Sequence, residues 1–258
     1  MSQPRSTSQA EAHSGRWTSA ALARAAFTIL AIVLAETAVC GLAAVVPASL
    51  LYTGLAALPG PWWRVVALAA AAAPAYVLFA LCLMTLSAAS VRLTGARTPA
   101  DREMPIAEMG WDLLRWARYL ASSYVVRLLA GPLFRGTPVW TTYLRMNGAR
   151  LGRRVYVNSL FVSDHNLLEF GHDVVIGGEV HLSGHTVEHG LVKTGRVRLG
   201  DGVTIGLSSV VEIDVEVGAG AQVGALSFVP KHARLSAGGV FVGVPVKPLH
   251  PPAILGTK

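Results

Sequence analysis

The chain has 258 residues, room for about two structural units, and is 52% hydrophobic and only 14% charged, with a net charge of +7. Its two cysteines, Cys40 and Cys82, both sit inside apolar runs, which excludes a disulfide framework and a cysteine metal site. The basic balance points to an anionic membrane surface rather than to nucleic acid, because the arginines flank apolar runs.

Residues 1–19 form a polar tail rich in Ser and Gln. Residues 25–46 carry a single charge, Glu36, and are long enough to cross a bilayer. A signal peptide would have a shorter apolar core, and Val39 stands where a lipoprotein signal ahead of Cys40 needs a small residue. A Pro-rich turn at 58–64 offers Trp62 and Trp63 to a membrane interface. Residues 65–91 carry no charge and form a second span that Pro74 can kink. Arg5, Arg16 and Arg24 precede the first span and Arg92, Arg97 and Arg102 follow the second, with only Arg64 between them. By the positive-inside rule both ends of this hairpin, residues 20–102, face the cytoplasm, and the abundance of Ala, Arg and Gly suits a bacterial cytoplasmic membrane.

Residues 103–147 read as a helical connector. Trp111, Leu114, Trp116, Leu120, Tyr124 and Leu128 recur at helical spacing, with Arg115, Arg118 and Arg127 among them. Such a basic amphipathic helix lies in the membrane interface or caps the next domain.

Residues 148–248 change period. Leu199, Ile205, Val211, Val217, Val223, Val229 and Leu235 are spaced by six, with a small or β-branched residue four positions after each of the first six. A period of six belongs to neither a helix nor a single strand; it marks a three-sided β-solenoid. Earlier hexads start at Leu151, Val157, Phe170, Ile176 and Leu182, with a break at Ser163. Regularity fails again from about His185 to Arg198, which reads as an extruded loop. Counting in hexads places Asn166, His185, Asp214 and His232 in one column, with rungs about 4.8 Å apart. Residues 249–258 form a short tail.

This repeat resembles the left-handed parallel β-helix of hexapeptide-repeat acyltransferases, so the expected fold is mainly β: such a solenoid behind a two-helix transmembrane hairpin and an amphipathic interfacial helix. The resemblance implies a His as general base, a coenzyme A or phosphopantetheinyl carrier-protein thioester as acyl donor, and a homotrimer. His185 opens the loop and is the candidate base; an imidazole suits the task because its ordinary pKa is about 6.5. Glu188, Asp214 and Asn166 are the candidate orienting groups, and His165 is the alternative base. Lys193 is a candidate contact for a phosphate or carboxylate. The ending GVPVKPL resembles the family's closing motif and nominates Gly243, Pro245 and Lys247 for the donor arm, with Val246 in place of the usual Ala. HTVEHGLVK, together with the two spans, also resembles the membrane-bound C-terminal repeats of poly-lysine-type nonribosomal peptide synthetases. No permanently bound cofactor, metal or nucleic acid is expected. The bland reading of each of these residues is a polar corner or a solvated side chain, and the competing functions are a non-catalytic membrane scaffold and a gamma carbonic anhydrase-like zinc lyase.

Overall fold

The structure, a computed structural model, describes residues 18–249. The polar segment 1–17, with Arg5 and Arg16, and the tail from residue 250 lie outside the described residues. The chain forms two compact units. One comprises the residues up to 99, 103–134 and 187–192; the other comprises 100–102, 135–186 and the residues from 193 on.

The first unit is built on two long helices, α1 (Ser19–Ala56) and α2 (Pro61–Leu93). Thr18 caps α1 by accepting a hydrogen bond from the Ala21 amide at 3.1 Å, and Pro61 opens α2, where its missing N–H is no loss. Both are long and apolar enough to cross a membrane. Most of their large side chains are exposed, Phe27 at 70% and Trp62 at 72% among them.

A third helix, α3 (Trp111–Leu129), packs against both. It buries Leu113, Leu114, Tyr119, Ser122 and Val126 and leaves Trp111, Tyr124 and Leu128 exposed. Its Arg118 forms an ion pair with Glu36, the one charge of residues 25–46, and donates to Ser90 Oγ at 2.6 Å. The Ser122 hydroxyl donates to the other Glu36 oxygen at 3.4 Å, and Ser87 Oγ lies 2.8 Å from Ser122 Oγ. Glu36 is thus satisfied by neighbouring helices. Residues 187–192 belong to this unit through Val192, which joins Met104 and Leu113 in a small core, and through Gly190, whose carbonyl accepts from the Ile106 amide at 2.9 Å.

The second unit is a parallel β-solenoid. A short helix, α4 (Pro138–Met146), closes its first coil: buried Trp140 donates its indole N–H to the Ser159 carbonyl at 3.2 Å and stacks on buried Tyr143. End-capping therefore falls to this helix, the last of the segment 103–147. Three parallel sheets follow. The first face stacks Tyr156–Val157, Val175–Ile176, Thr204–Ile205, Gln222–Val223 and Val240–Val242. The second stacks His181–Leu182, Val210–Val211 and Phe228–Val229. The third stacks Arg150–Leu151, Leu168–Phe170, Val197–Leu199, Val215–Val217 and Arg234–Leu235. The hexad aliphatics fill the interior: Leu199, Ile205, Val211, Val217, Val223 and Val229 are each 3% exposed or less. Leu151 and Leu235, at the two ends of the stack, are partly exposed. Gly206 shows why corners are small, since a Cβ there would meet the Ala225 amide nitrogen of the next coil at 2.5 Å.

Two details of register differ from the hexad count. The aliphatic in register with Leu182 is Val162, not Ser163, so the break in the first coil shifts the column by one residue. The segment read as a loop is a two-stranded arm, His185–Glu188 and Leu191–Thr194. Its turn, His189–Gly190, has positive φ at both residues, as a two-residue hairpin turn requires. The Gly195 amide donates to the Gly184 carbonyl at 2.9 Å and closes the root of the arm.

Candidate active site

The site is the root of this arm, at the corner between the second and third faces. Asp164 turns that corner with a left-handed backbone, φ 52°, and caps a short 3-10 turn, His165–Leu167. Its side chain is fully buried, and one oxygen, Oδ2, collects the polar groups around it. The Ser163 hydroxyl donates to it at 3.0 Å and the Gly184 amide at 3.2 Å. His185 Nδ1 lies 2.5 Å from the same oxygen. Ser183 Oγ lies 3.1 Å from His185 Nδ1 and 3.1 Å from Ser163 Oγ. Gly184 makes this approach possible, because a Cβ there would meet Asp164 Cβ at 2.8 Å.

A buried carboxylate accepts only, so in neutral His185 the proton sits on Nδ1 and the lone pair on Nε2. Burial lowers the imidazole pKa. The hydrogen bond that His185 donates to Asp164, the charge of Asp164 and that of Glu212 outweigh burial, and the net position is above the ordinary value. The His185 side chain is 20% exposed. An arrangement of this kind can accept a proton from a nucleophile and hold it as an ion pair with Asp164.

The other candidate residues fall elsewhere. Asp214 is drawn into a corner of its own: His232 Nδ1 at 2.7 Å and Arg234 Nη2 at 3.0 Å engage its carboxylate and hold its pKa below the usual value, the His232 bond most. Glu188 ends the strand that begins at His185. Asn166 lies in the same 3-10 turn as His165, two residues past the carboxylate that takes the orienting role, and packs against Gly148. His165 is 1% exposed, its Nε2 is 3.1 Å from the Val162 carbonyl, and burial pushes its pKa down to about 4. It is an interior residue edged by the Tyr143 ring. Lys193 sits on the outgoing strand of the arm, half-buried. Gly243, Pro245 and Lys247 form the exposed reversal that pairs Lys247–Pro248 antiparallel to Val240–Val242. Among the described residues no three His, Cys, Asp or Glu side chains stand close enough to hold a metal ion.

Asp164 is the residue the sequence reading missed. The signal was present: an acid followed by His and Asn at a break in the repeat, one coil before His185. The corrected column sets His165, not Asp164, level with His185; Asp164 lies one place earlier, level with Gly184, and reaches His185 from there.

The coil register decides the architecture. The second unit is a parallel β-helix with a six-residue repeat. No family model matches it. Among curated proteins it is similar to the delta-poly-L-ornithine synthetase of Acinetobacter baumannii, 26% identical over 152 residues. That match spans 57% of this chain and 11% of the synthetase, so the chain covers only a small part of its curated relative. Among solved structures it is similar to a hexapeptide-repeat acetyltransferase of Vibrio cholerae complexed with acetyl coenzyme A, 20% identical, covering 40% of this chain and 60% of that one, with a TM-score of 0.37. The serine acetyltransferase of Neisseria gonorrhoeae is 20% identical, covering 68% of this hexapeptide-repeat chain and 54% of the acetyltransferase, TM-score 0.36. A maltose O-acetyltransferase of Clostridium difficile is 17% identical, covering 46% and 80%, TM-score 0.35.

Proposed function

We propose that this chain is a membrane-anchored acyltransferase in which His185 is the general base. The observation that carries the reading is the 2.5 Å contact from His185 Nδ1 to a fully buried Asp164 at the root of the arm. Nothing in the packing of a solenoid corner calls for a buried carboxylate beneath a partly exposed imidazole; proton transfer does. The donor is a thioester, of coenzyme A or of a phosphopantetheinyl carrier protein, and the acceptor is an amine or hydroxyl. The acceptor attacks the thioester carbonyl as its proton passes to His185 Nε2, and the tetrahedral intermediate collapses with loss of the thiolate, which takes the proton back. One C–N or C–O bond forms, one C–S bond breaks, and no oxidant or metal enters. A part in peptide natural-product biosynthesis is consistent with the similarity to the ornithine-polymer synthetase.

The helical unit supports the anchoring. Two helices of spanning length, with apolar side chains exposed along them, have a lipid environment as their physical complement. Arg92, Arg97 and Arg102 after the second span support a cytoplasmic solenoid. A homotrimer is part of the proposal, since parallel prisms close a ring by rotation.

The test is His185→Ala in the full-length protein. Turnover falls by about 10²-fold to 10⁴-fold, the usual worth of a positioned base, while donor binding stays near that of the parent. Unchanged turnover would sink the reading.

A further inference from the structure

Val162 and Leu182 stand in register on the second face and fill the interior. Strand alternation turns the next residue of each coil away from the interior, which sets Ser163 and Ser183 one above the other. Their hydroxyls lie 3.1 Å apart, and both reach Asp164 Oδ2, at 3.0 Å and 3.4 Å. Each hydroxyl has one proton and two places to donate it. Ser163 donates to Asp164 Oδ2 or to Ser183 Oγ. Ser183 donates to Asp164 Oδ2 or to the His185 carbonyl at 2.9 Å, and accepts from the His185 amide at 3.2 Å. The Gly184 amide is a further donor to the same carboxylate oxygen.

These donors act on His185 through Asp164. They fix the oxygen that faces His185 Nδ1, since a carboxylate held by hydroxyls and an amide does not rotate freely. They also take up part of its charge, and a shared charge attracts an imidazolium less than a bare one does. That matters because an imidazolium cannot accept a proton. Burial disfavours the charged ring, while the bond to Asp164, its charge and that of Glu212 favour it. His165, beside Asp164, is buried with its pKa pushed down to about 4, and the arm itself carries Glu188, His189 and Lys193. The two serines are uncharged, so replacing them leaves every one of these groups in place.

We propose that Ser163 and Ser183 are positioning residues: they aim Asp164 Oδ2 at His185 Nδ1 and, by sharing its charge, keep the imidazole neutral and able to take a proton. The proposal rests on the reading of His185 as the base of an acyl transfer.

The experiment titrates the His185 imidazole in the full-length protein in detergent, labelled at histidine nitrogen, with the resonance assigned by its loss in His185→Ala. Ser163→Ala and Ser183→Ala each raise the midpoint by about half a pH unit to one pH unit, part of the worth of a hydrogen bond to a charged group. Ser163→Thr keeps the hydroxyl at a partly exposed position and titrates with the parent. With acetyl coenzyme A and butylamine, the acid limb of the rate–pH profile moves up in both alanine variants. On the plateau kcat falls about threefold to tenfold, the net worth of one hydrogen bond, with KM for the donor unchanged. A serine that merely braced the corner would, once removed, loosen the bond to Asp164 and lower the midpoint, as Asp164→Asn does. A midpoint that stays or falls in either alanine variant that folds therefore overturns the proposal, and so does a Ser163→Thr that titrates with Ser163→Ala. Raised midpoints in a protein that forms no product, the parent included, support the role of the serines and fell the acyl-transfer reading alone.

Discussion

At the scale of the residue, the pair Asp164–His185 sets the pH behaviour. The folded pKa of His185 lies above its ordinary value, burial being outweighed by the bond and charge of Asp164 and the charge of Glu212. A base must be neutral to accept a proton, so activity is lost as pH falls through that raised pKa. Asp164→Asn removes the charge and leaves burial unopposed except by Glu212. The acid limb of the rate–pH profile then moves to lower pH, and turnover drops by about 10²-fold because the imidazolium formed in the reaction loses its counter-ion. Stability has its own sign. A raised His pKa contributes stability that is fully present below the unfolded value of about 6.5 and fades as pH rises through the folded pKa. Unfolding midpoints measured from pH 5 to 9 show that loss in the parent and a flatter curve in Asp164→Asn. An acid limb that stays in place in the variant would count against Asp164 as the partner.

At the scale of the element, two features tie distant stretches together. The third face carries a ladder of alternating charge, Arg150, Glu169, Arg198, Glu216 and Arg234, with successive contacts of 3.3, 3.2, 2.5 and 3.4 Å. These pairs are half-exposed, so each contributes under about 1 kcal/mol. They border a groove of about 600 Å³ floored by Gly171, Gly200 and Gly218. The ion pair of Glu36 with Arg118 is different, since both side chains are almost buried, 10% and 12% exposed. Removing one partner strands a charge among apolar helices. Arg118→Ala should cost about 3 kcal/mol, whereas exchanging the two residues, Glu36→Arg with Arg118→Glu, should recover much of it. The thermal midpoint of the detergent-purified protein checks both. If Arg118→Ala melts with the parent, the pair does not hold α3 to the long helices.

At the scale of the whole molecule, the exposed apolar lengths of α1 and α2 and the repeat of the solenoid lead to separate expectations. The protein should sediment with membranes, resist extraction by salt, and be released by detergent. Its detergent-corrected mass should equal three chains. Full recovery in the soluble fraction would overturn the anchor; a mass of one chain would overturn the trimer and leave the site intact.

The sequence by itself determined the solenoid, because its information is local and periodic. Every sixth residue from Leu199 to Val229 must fill the same interior, and no helix or single strand places residues at that interval on one side. The spanning lengths of α1 and α2 were equally legible, since a bilayer selects on composition over a run. His185 was legible as the residue at which the repeat fails. Its partner was not. The break at residues 162–170 shifts the column by one, and in a stacked sheet the register between coils is set by hydrogen bonds from rung to rung, which a count along the chain does not contain. The same holds for the arm, whose outgoing strand pairs with residues 103–105, and for Glu36, whose charge is answered by an arginine far along the sequence. Period and composition are properties of neighbours along the chain, whereas partners of buried charges are properties of neighbours in space. Only the tertiary structure, by fixing which coil lies on which, decided that Asp164 meets His185.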